Sequence, residues 1–210
     1  GLFADVNVPP LAEADIAALR TASGLDWSAI DPSIFGTLFE RGLDPAKRAQ
    51  LGAHYTDPAT IARLVEPVVT RPLLAEWAVA REGVAAALAK SKKHGDKAWQ
   101  QAQAGFVGFL ERLKHYRVLD PACGSGHFLL SAARRLADEV ALHRAAAERE
   151  GGAPTPADYR HALRDVVSRC IYGVDKNPMA IQLAKTALWL EAYSPDRPLS
   201  FVDHHLRVGD

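Results

Sequence analysis

Asp120-Pro121-Ala122-Cys123-Gly124-Ser125-Gly126-His127-Phe128 follows a short run, Arg117-Val118-Leu119, and opens an amphipathic stretch from Leu129 to about Arg149. Strand, glycine turn and helix in that order is how an open α/β sheet brings bare backbone up to an anionic or ribose-bearing ligand. Gly124 and Gly126 permit positive φ and keep Cβ atoms out of a ligand's path. Here the acid precedes the glycines. At the carboxyl end of a strand, Asp120 accepts hydrogen bonds from an ammonium group and repels a nucleotide phosphate. The run also lacks the third glycine of a dinucleotide fingerprint, and no Gly-Lys-Ser/Thr of a P-loop is present. A nucleoside that carries an amino acid, S-adenosylmethionine, meets these constraints.

A second turn complements the first. Cys170-Ile171-Tyr172-Gly173-Val174 reads as strand two, and Asp175-Lys176-Asn177-Pro178 turns into a helix from about Met179 to Ala192. An acid at the end of the next strand can take both ribose hydroxyls of a nucleoside. Its distance from the first turn, about 50 residues, exceeds the usual twenty because a long helix and the 151–168 insertion intervene. Pro178 suits the first helical position, with Asn177 as cap. The lesser alternative for Asp175, taken alone, is a simple helix-capping acid. Strand one is expected over Tyr116–Leu119, and strand three over His204–Val208. A third element is Leu51-Gly52-Ala53-His54-Tyr55-Thr56-Asp57-Pro58, a helix start whose free N–H groups and hydroxyl can hold a carboxylate. By itself it is only a capped helix.

Upstream, helical spacing runs from Leu11 to about Ala22, with Ile16, Leu19 and Leu25 on one face. Asp31-Pro32-Ser33 starts a short helix carrying Ile34, Leu38 and Phe39, with Pro32 in its first turn. The helix from Thr56 buries Ile61, Leu64, Val65, Val68 and Val69, and Pro67 and Pro72 are expected to kink or end it. Residues 73–115 hold two helices separated by Lys92-Lys93-His94-Gly95-Asp96. Trp189 and Leu190, at helical spacing, are expected in the core.

The 210 residues, 48% hydrophobic, suffice for one domain of ordinary size plus an appendage. Lys+Arg and Asp+Glu are equal at 25 each, so net charge gives no steering toward nucleic acid. One region is basic: residues 81–117 hold eight Lys/Arg against three acids, which reads first as a solvated helical face and second as a DNA contact. Cys123 and Cys170 lack CxxC spacing, which disfavours a disulfide framework or zinc site and fits a reducing cytosol. His54, His204 and His205 have no third ligand at suitable spacing, so no metal is expected. No apolar run approaches the roughly 18 residues of a membrane span, and the N-terminus lacks a signal pattern. The chain begins with Gly and stops after a strand, so it reads as a piece of a larger cytoplasmic protein.

The three elements in this order resemble the amino-methylating DNA methyltransferases, specifically the adenine-specific enzymes of gamma-type motif order. The segment Ile30-Asp31-Pro32-Ser33-Ile34-Phe35-Gly36-Thr37-Leu38-Phe39-Glu40 resembles the large bacterial restriction–modification or phage-defence versions. The resemblance runs from about Leu25 to Asp210. It implies an α/β, Rossmann-like class I S-adenosylmethionine-dependent methyltransferase fold, present as a partial sheet with a helical N-terminal extension. The implied divisions are an extension over 1–50, a cofactor-facing helix start and helical hairpin over 51–115, and the first half of the α/β domain over 116–210. It further implies that Tyr55 and Thr56 hold the methionine end, while Asp120, Ala122, Cys123, Gly124 and Gly126 line the methionine and ribose. Asp175 would bind the ribose hydroxyls, with Lys176 and Asn177 beside the adenine ring and Asp210 at the adenine amino group. Phe128 packs beneath the cofactor or seats its helix. Cys123, with no base nearby, reads as a packing residue rather than a nucleophile.

One family element is missing. No Asn/Asp-Pro-Pro-Tyr/Phe run follows strand three, and Asn7-Val8-Pro9-Pro10 is in the wrong place. In the family that run grips the flipped adenine, so this chain has no catalytic residues to name and is expected to be inactive alone. The family's sheet also sets strand one between strand two and the strand bearing that run. Double-stranded DNA is the implied partner through the parent protein, together with the rest of the methyltransferase domain and a target-recognition domain. Other readings are a cytosine-amino or RNA methyltransferase, or a non-catalytic subunit that keeps the fold as a scaffold.

Overall fold

The computed structural model describes residues 10–42, 56–148, 153–193 and 202–210. Helix α1 spans Glu13–Ser23 and α2 spans Ile34–Gly42. Helix α3, Pro58–Val65, continues through a π-helical turn, Glu66–Thr70, into α4, Arg71–Leu88. Helix α5, Lys97–Lys114, leads to β1, Val118–Asp120. Helices α6, His127–Glu148, and α7, Pro156–Arg169, precede β2, Ile171–Asp175. Helix α8, Pro178–Glu191, and a single turn α9, Val202–His205, precede β3, Leu206–Val208.

The three strands are parallel in the order β1-β2-β3. Asp120 lies opposite Gly173, and Asp175 lies opposite Val208. Asp175 therefore stands two residues, roughly 7 Å, beyond the end of β1. Both acids end their strands on the same side of the sheet. Among the described residues β1 pairs on one side only.

The core sits where α6 crosses the sheet. Leu129, Leu130 and Leu136 of α6 pack with Ile171, Ile181, Leu188 and Leu206, all 2% exposed or less. A row of alanines on α6, including Ala133 and Ala137, and Ala162 of α7 are fully buried; such small side chains let helices approach closely. Ile61, Val65, Val69 and Leu73, from α3 through α4, belong to the same core. The α4–α5 hairpin is seated by Trp77, whose ring lies 4.7 Å from Phe109 and 4.3 Å from His143.

Several expectations need correcting. Leu64 and Val68, expected in the buried stripe, are 52% and 62% exposed. Pro67 and Pro72, expected to kink or end the helix, interrupt its α-helical ladder without ending the rod. Each lacks the N–H for its α-helical bond, and the ladder shifts to i→i+5, with Arg71 N–H bonding the Glu66 carbonyl. The Tyr116 hydroxyl donates to the Val69 carbonyl within that turn at 3.1 Å. His204 and His205, expected in strand three, belong to the helical turn α9, so β3 starts at Leu206. Pro32 and Ser33 form a turn ahead of α2, with Ser33 N–H on Asp31 Oδ1 at 2.9 Å. Trp189 is 40% exposed against Tyr193, because Ala184, Ala187 and Leu188 form the buried face of α8. The apolar stripe of α1 is likewise exposed: no residue of that helix is buried.

Candidate functional site

The turn after β1 is built from its own polar groups. Gly124 and Gly126 take positive φ, +52° and +89°. The backbone N–H of Ala122 bonds Asp120 Oδ1 at 3.0 Å, and Cys123 N–H bonds the Val174 carbonyl at 2.9 Å. These bonds hold the turn against the end of β2.

Asp175 ties the two strand ends together. Its Oδ2 accepts from Gly124 N–H at 2.9 Å and its Oδ1 from Asn177 N–H at 2.8 Å. The cap of α8 is Asn177, whose side chain accepts from Met179 N–H, so Asp175 is not the capping acid. An ionised carboxylate has about four lone-pair sites. Two remain for a ligand, one on each oxygen, which is the acceptor pattern for two neighbouring hydroxyls.

Asp120 is electrostatically uncompensated. Burial raises its carboxyl above the ordinary range and the Asp175 charge raises it further, against the Ala122 N–H. A buried acid of this kind costs stability once ionised, and a cation placed against it would offset that cost. Its contribution improves as pH falls toward the carboxylate range. Asp120→Asn keeps an acceptor for Ala122 and is expected to raise the melting temperature of the unliganded protein at pH 7. A lower melting temperature would mean that the charge is already satisfied.

Cys123 is 4% exposed, and burial, followed by the Asp120 and Asp175 charges, pushes its thiol up to about 12. It packs and does not ionise. Lys176 Nζ and Asp210 Oδ2 form an ion pair at 2.7 Å with both side chains largely in solvent. Exposed pairs of this kind are worth little, so this one opens cheaply for a ligand. Phe128 packs against the core and also lines an apolar groove of about 250 Å³ with Leu64, Val68, Leu119, Asp120 and Ala122. That groove runs beside the unpaired side of β1.

Thr56 is half-buried and lines a cleft of about 380 Å³ along α6 with Ser33, His127 and Arg134. The helix start beside it is already satisfied, since Asp57 accepts from Ala59 and Thr60 N–H groups at 3.0 Å each. Those two donors, offered by the sequence to a ligand carboxylate, are taken by the cap. Tyr55, with Gly52 and His54, lies outside the described residues. Among the described residues no group of three His, Cys, Asp or Glu side chains is placed to hold a metal, and no helix is long and apolar enough to cross a membrane.

Sequence reading missed how the segment before α2 reaches this site. Arg134 on α6 holds Glu191 with Nε and Nη2 at 2.8 and 2.7 Å and Asp31 with Nη1 at 2.9 Å. Burial pushes the Asp31 carboxyl up, but Arg134 and the Ser33 donors outweigh it and hold it at about 2. His127 Nε2 lies 2.9 Å from the Ser33 carbonyl, which can only accept, so that nitrogen carries the proton. Nothing in local spacing links positions about a hundred residues apart.

Residues 94–206, more than half of the chain, match the family model described as the MmeI DNA-methyltransferase domain. The chain belongs to that family. The solved structure of the Type IIL restriction–modification enzyme MmeI in complex with DNA superposes with a TM-score of 0.59 at 27% identity, over 86% of this chain and 21% of that one. DNA methyltransferase A of Bacillus subtilis is 24% identical over 182 residues, which are 86% of this chain and 18% of that protein. The adenine-specific methyltransferase PglX of Streptomyces coelicolor is 36% identical over 101 residues, 45% of this chain and 7% of that protein. This member of the MmeI-domain family thus spans about a fifth or less of the length of these relatives. Strands β1 and β2 and the two strand-end acids fall in the matched region, which ends at the first residue of β3.

Proposed function

We propose that this chain is the S-adenosylmethionine-binding part of a DNA adenine-N6 methyltransferase of the restriction–modification or phage-defence type. The observation that carries the reading is Asp175, fixed by two backbone N–H groups with one acceptor site left on each oxygen. The rest of the pocket fits the same ligand. Asp120 faces the site as an acid in need of a cation, which the methionine ammonium supplies. The two positive-φ glycines leave backbone rather than side chain against the ligand. In this reading Lys176, Asn177 and Asp210 flank the adenine ring.

When bound, S-adenosylmethionine supplies an electrophilic methyl group on its sulfonium. This chain's residues orient that group: Asp175 fixes the ribose, Asp120 fixes the amino acid end, and the 124–126 backbone sets the depth. Holding the donor in one pose converts a bimolecular encounter into a positioned transfer. The acceptor base is to be gripped by residues outside this chain, since no Asn/Asp-Pro-Pro-Tyr/Phe run occurs in it. The unpaired side of β1 and its apolar groove are suited to the strand that carries that run. Adenine as the target rests on the likeness to PglX, and DNA as the substrate on the likeness to MmeI.

The test is methyl transfer by the complete protein, with hydrolysed DNA product analysed by mass spectrometry. N6-methyladenine is the expected product, and residues 1–210 alone should give none. N4-methylcytosine or methylated RNA would redirect the chemistry. Failure of the folded, complete protein to bind S-adenosylhomocysteine would leave the scaffold reading in its place.

A further inference from the structure

The turn between β1 and α6 is shaped from behind by α2. Gly36, in the first turn of α2, is buried. A Cβ placed there would overlap Ser125 Oγ and come within 2.7 Å of Ser125 Cβ and 2.8 Å of His127 Nε2. Ser125 is only 6% exposed, and it sits between the two positive-φ glycines. Its side chain therefore has one place to go, and the bare backbone of Gly36 makes that place. The same stretch is fastened at two further points, the Ser33 carbonyl on His127 and Asp31 on the Arg134–Glu191 pair.

We infer that Gly36 is a positioning residue for the cofactor turn, and that docking of residues 31–37 and occupancy of the cofactor site stabilise one another. This rests on the S-adenosylmethionine reading of the turn. The physical argument is linkage. The 124–126 backbone is the surface offered to the ligand, and its conformation is over-determined from the opposite side by α2. A ligand that binds only the docked form must hold α2 in place, and by reciprocity anything that lifts α2 weakens the ligand. The upstream segment thereby becomes the back wall of the site, able to report its occupancy.

The experiment uses the complete protein and S-adenosylhomocysteine as probe. By titration calorimetry, Gly36→Ala should bind at least 10-fold more weakly than the unaltered protein. The double variant Gly36→Ala/Ser125→Gly should recover part of that loss relative to Ser125→Gly alone, because it removes both Ser125 contacts and leaves only the one to the tip of the His127 side chain. A helix merely weakened elsewhere would not be rescued in this way. Independently of any variant, saturating probe should slow amide hydrogen exchange over residues 33–38. Absence of binding by the unaltered protein overturns the cofactor reading and this inference with it. Normal binding with undiminished affinity in Gly36→Ala, no rescue by the double variant, or unchanged exchange over 33–38 overturns the inference alone.

Discussion

Asp175→Ala is expected to lower affinity for S-adenosylhomocysteine by about 100-fold or more. Hydrogen bonds to a charged group contribute about 1.5–3 kcal/mol each. Two ribose hydroxyls on one carboxylate are therefore worth about 3 kcal/mol or more, and 1.4 kcal/mol is tenfold in affinity. The change also strands the Gly124 and Asn177 N–H groups that the carboxylate now accepts from. Asp175→Asn keeps the shape and one acceptor oxygen, so it should lose less. Titration calorimetry on both variants decides the matter, with circular dichroism to confirm the fold. Native affinity in Asp175→Ala would sink the ribose assignment.

Gly126→Ala should be the most destabilising change in the site. The residue adopts φ +89°, and an added Cβ would lie 3.0 Å from Ala184 Cβ and 3.2 Å from Ala184 Cα. The first term is backbone strain, roughly 1–2 kcal/mol for an L-residue with its Cβ in a left-handed conformation. The second is overpacking against helix backbone, which cannot step aside as a flexible side chain would, and costs about 1–3 kcal/mol. A combined loss of about 3 kcal/mol would show as a clearly lower denaturation midpoint. Gly124→Ala is the control, since its Cβ would meet nothing within 4 Å at φ +52°. It should lose only the strain term. Equal losses in the two variants would show that the approach to α8 is irrelevant.

What the sequence made legible was local. Acid, glycine turn and helix after β1, and acid, capping Asn and Pro after β2, each depend on residues within a few positions, and both turns stand where the spacing puts them. The parallel pairing that brings Asp120 and Asp175 to one side of the sheet follows from the intervening helices. Three things were not legible, each for a physical reason. Pro67 and Pro72 read as breakers because propensity treats each proline singly, whereas a pair five apart permits a shared shift of the ladder. Trp189 read as core because helical spacing gives a face but not which face is covered. Gly36 and Arg134 act through contacts about 90 to 100 residues distant, and a lone glycine in a short helix carries no local mark of what lies against it.

The π turn has a geometric consequence for the long helix that contains it. Four of its buried residues, Ile61, Val65, Val69 and Leu73, recur every four positions. On a regular α-helix each such step advances about 40° around the axis, so three steps would carry Leu73 about 120° away from Ile61. A wider turn in the middle takes back part of that drift. The two prolines thus act as a phase correction, keeping one side of the rod aimed at the core from end to end. Without it, Leu73 could stay inside only by swinging Ile61 toward solvent, and the groove beside β1 would lose its straight wall.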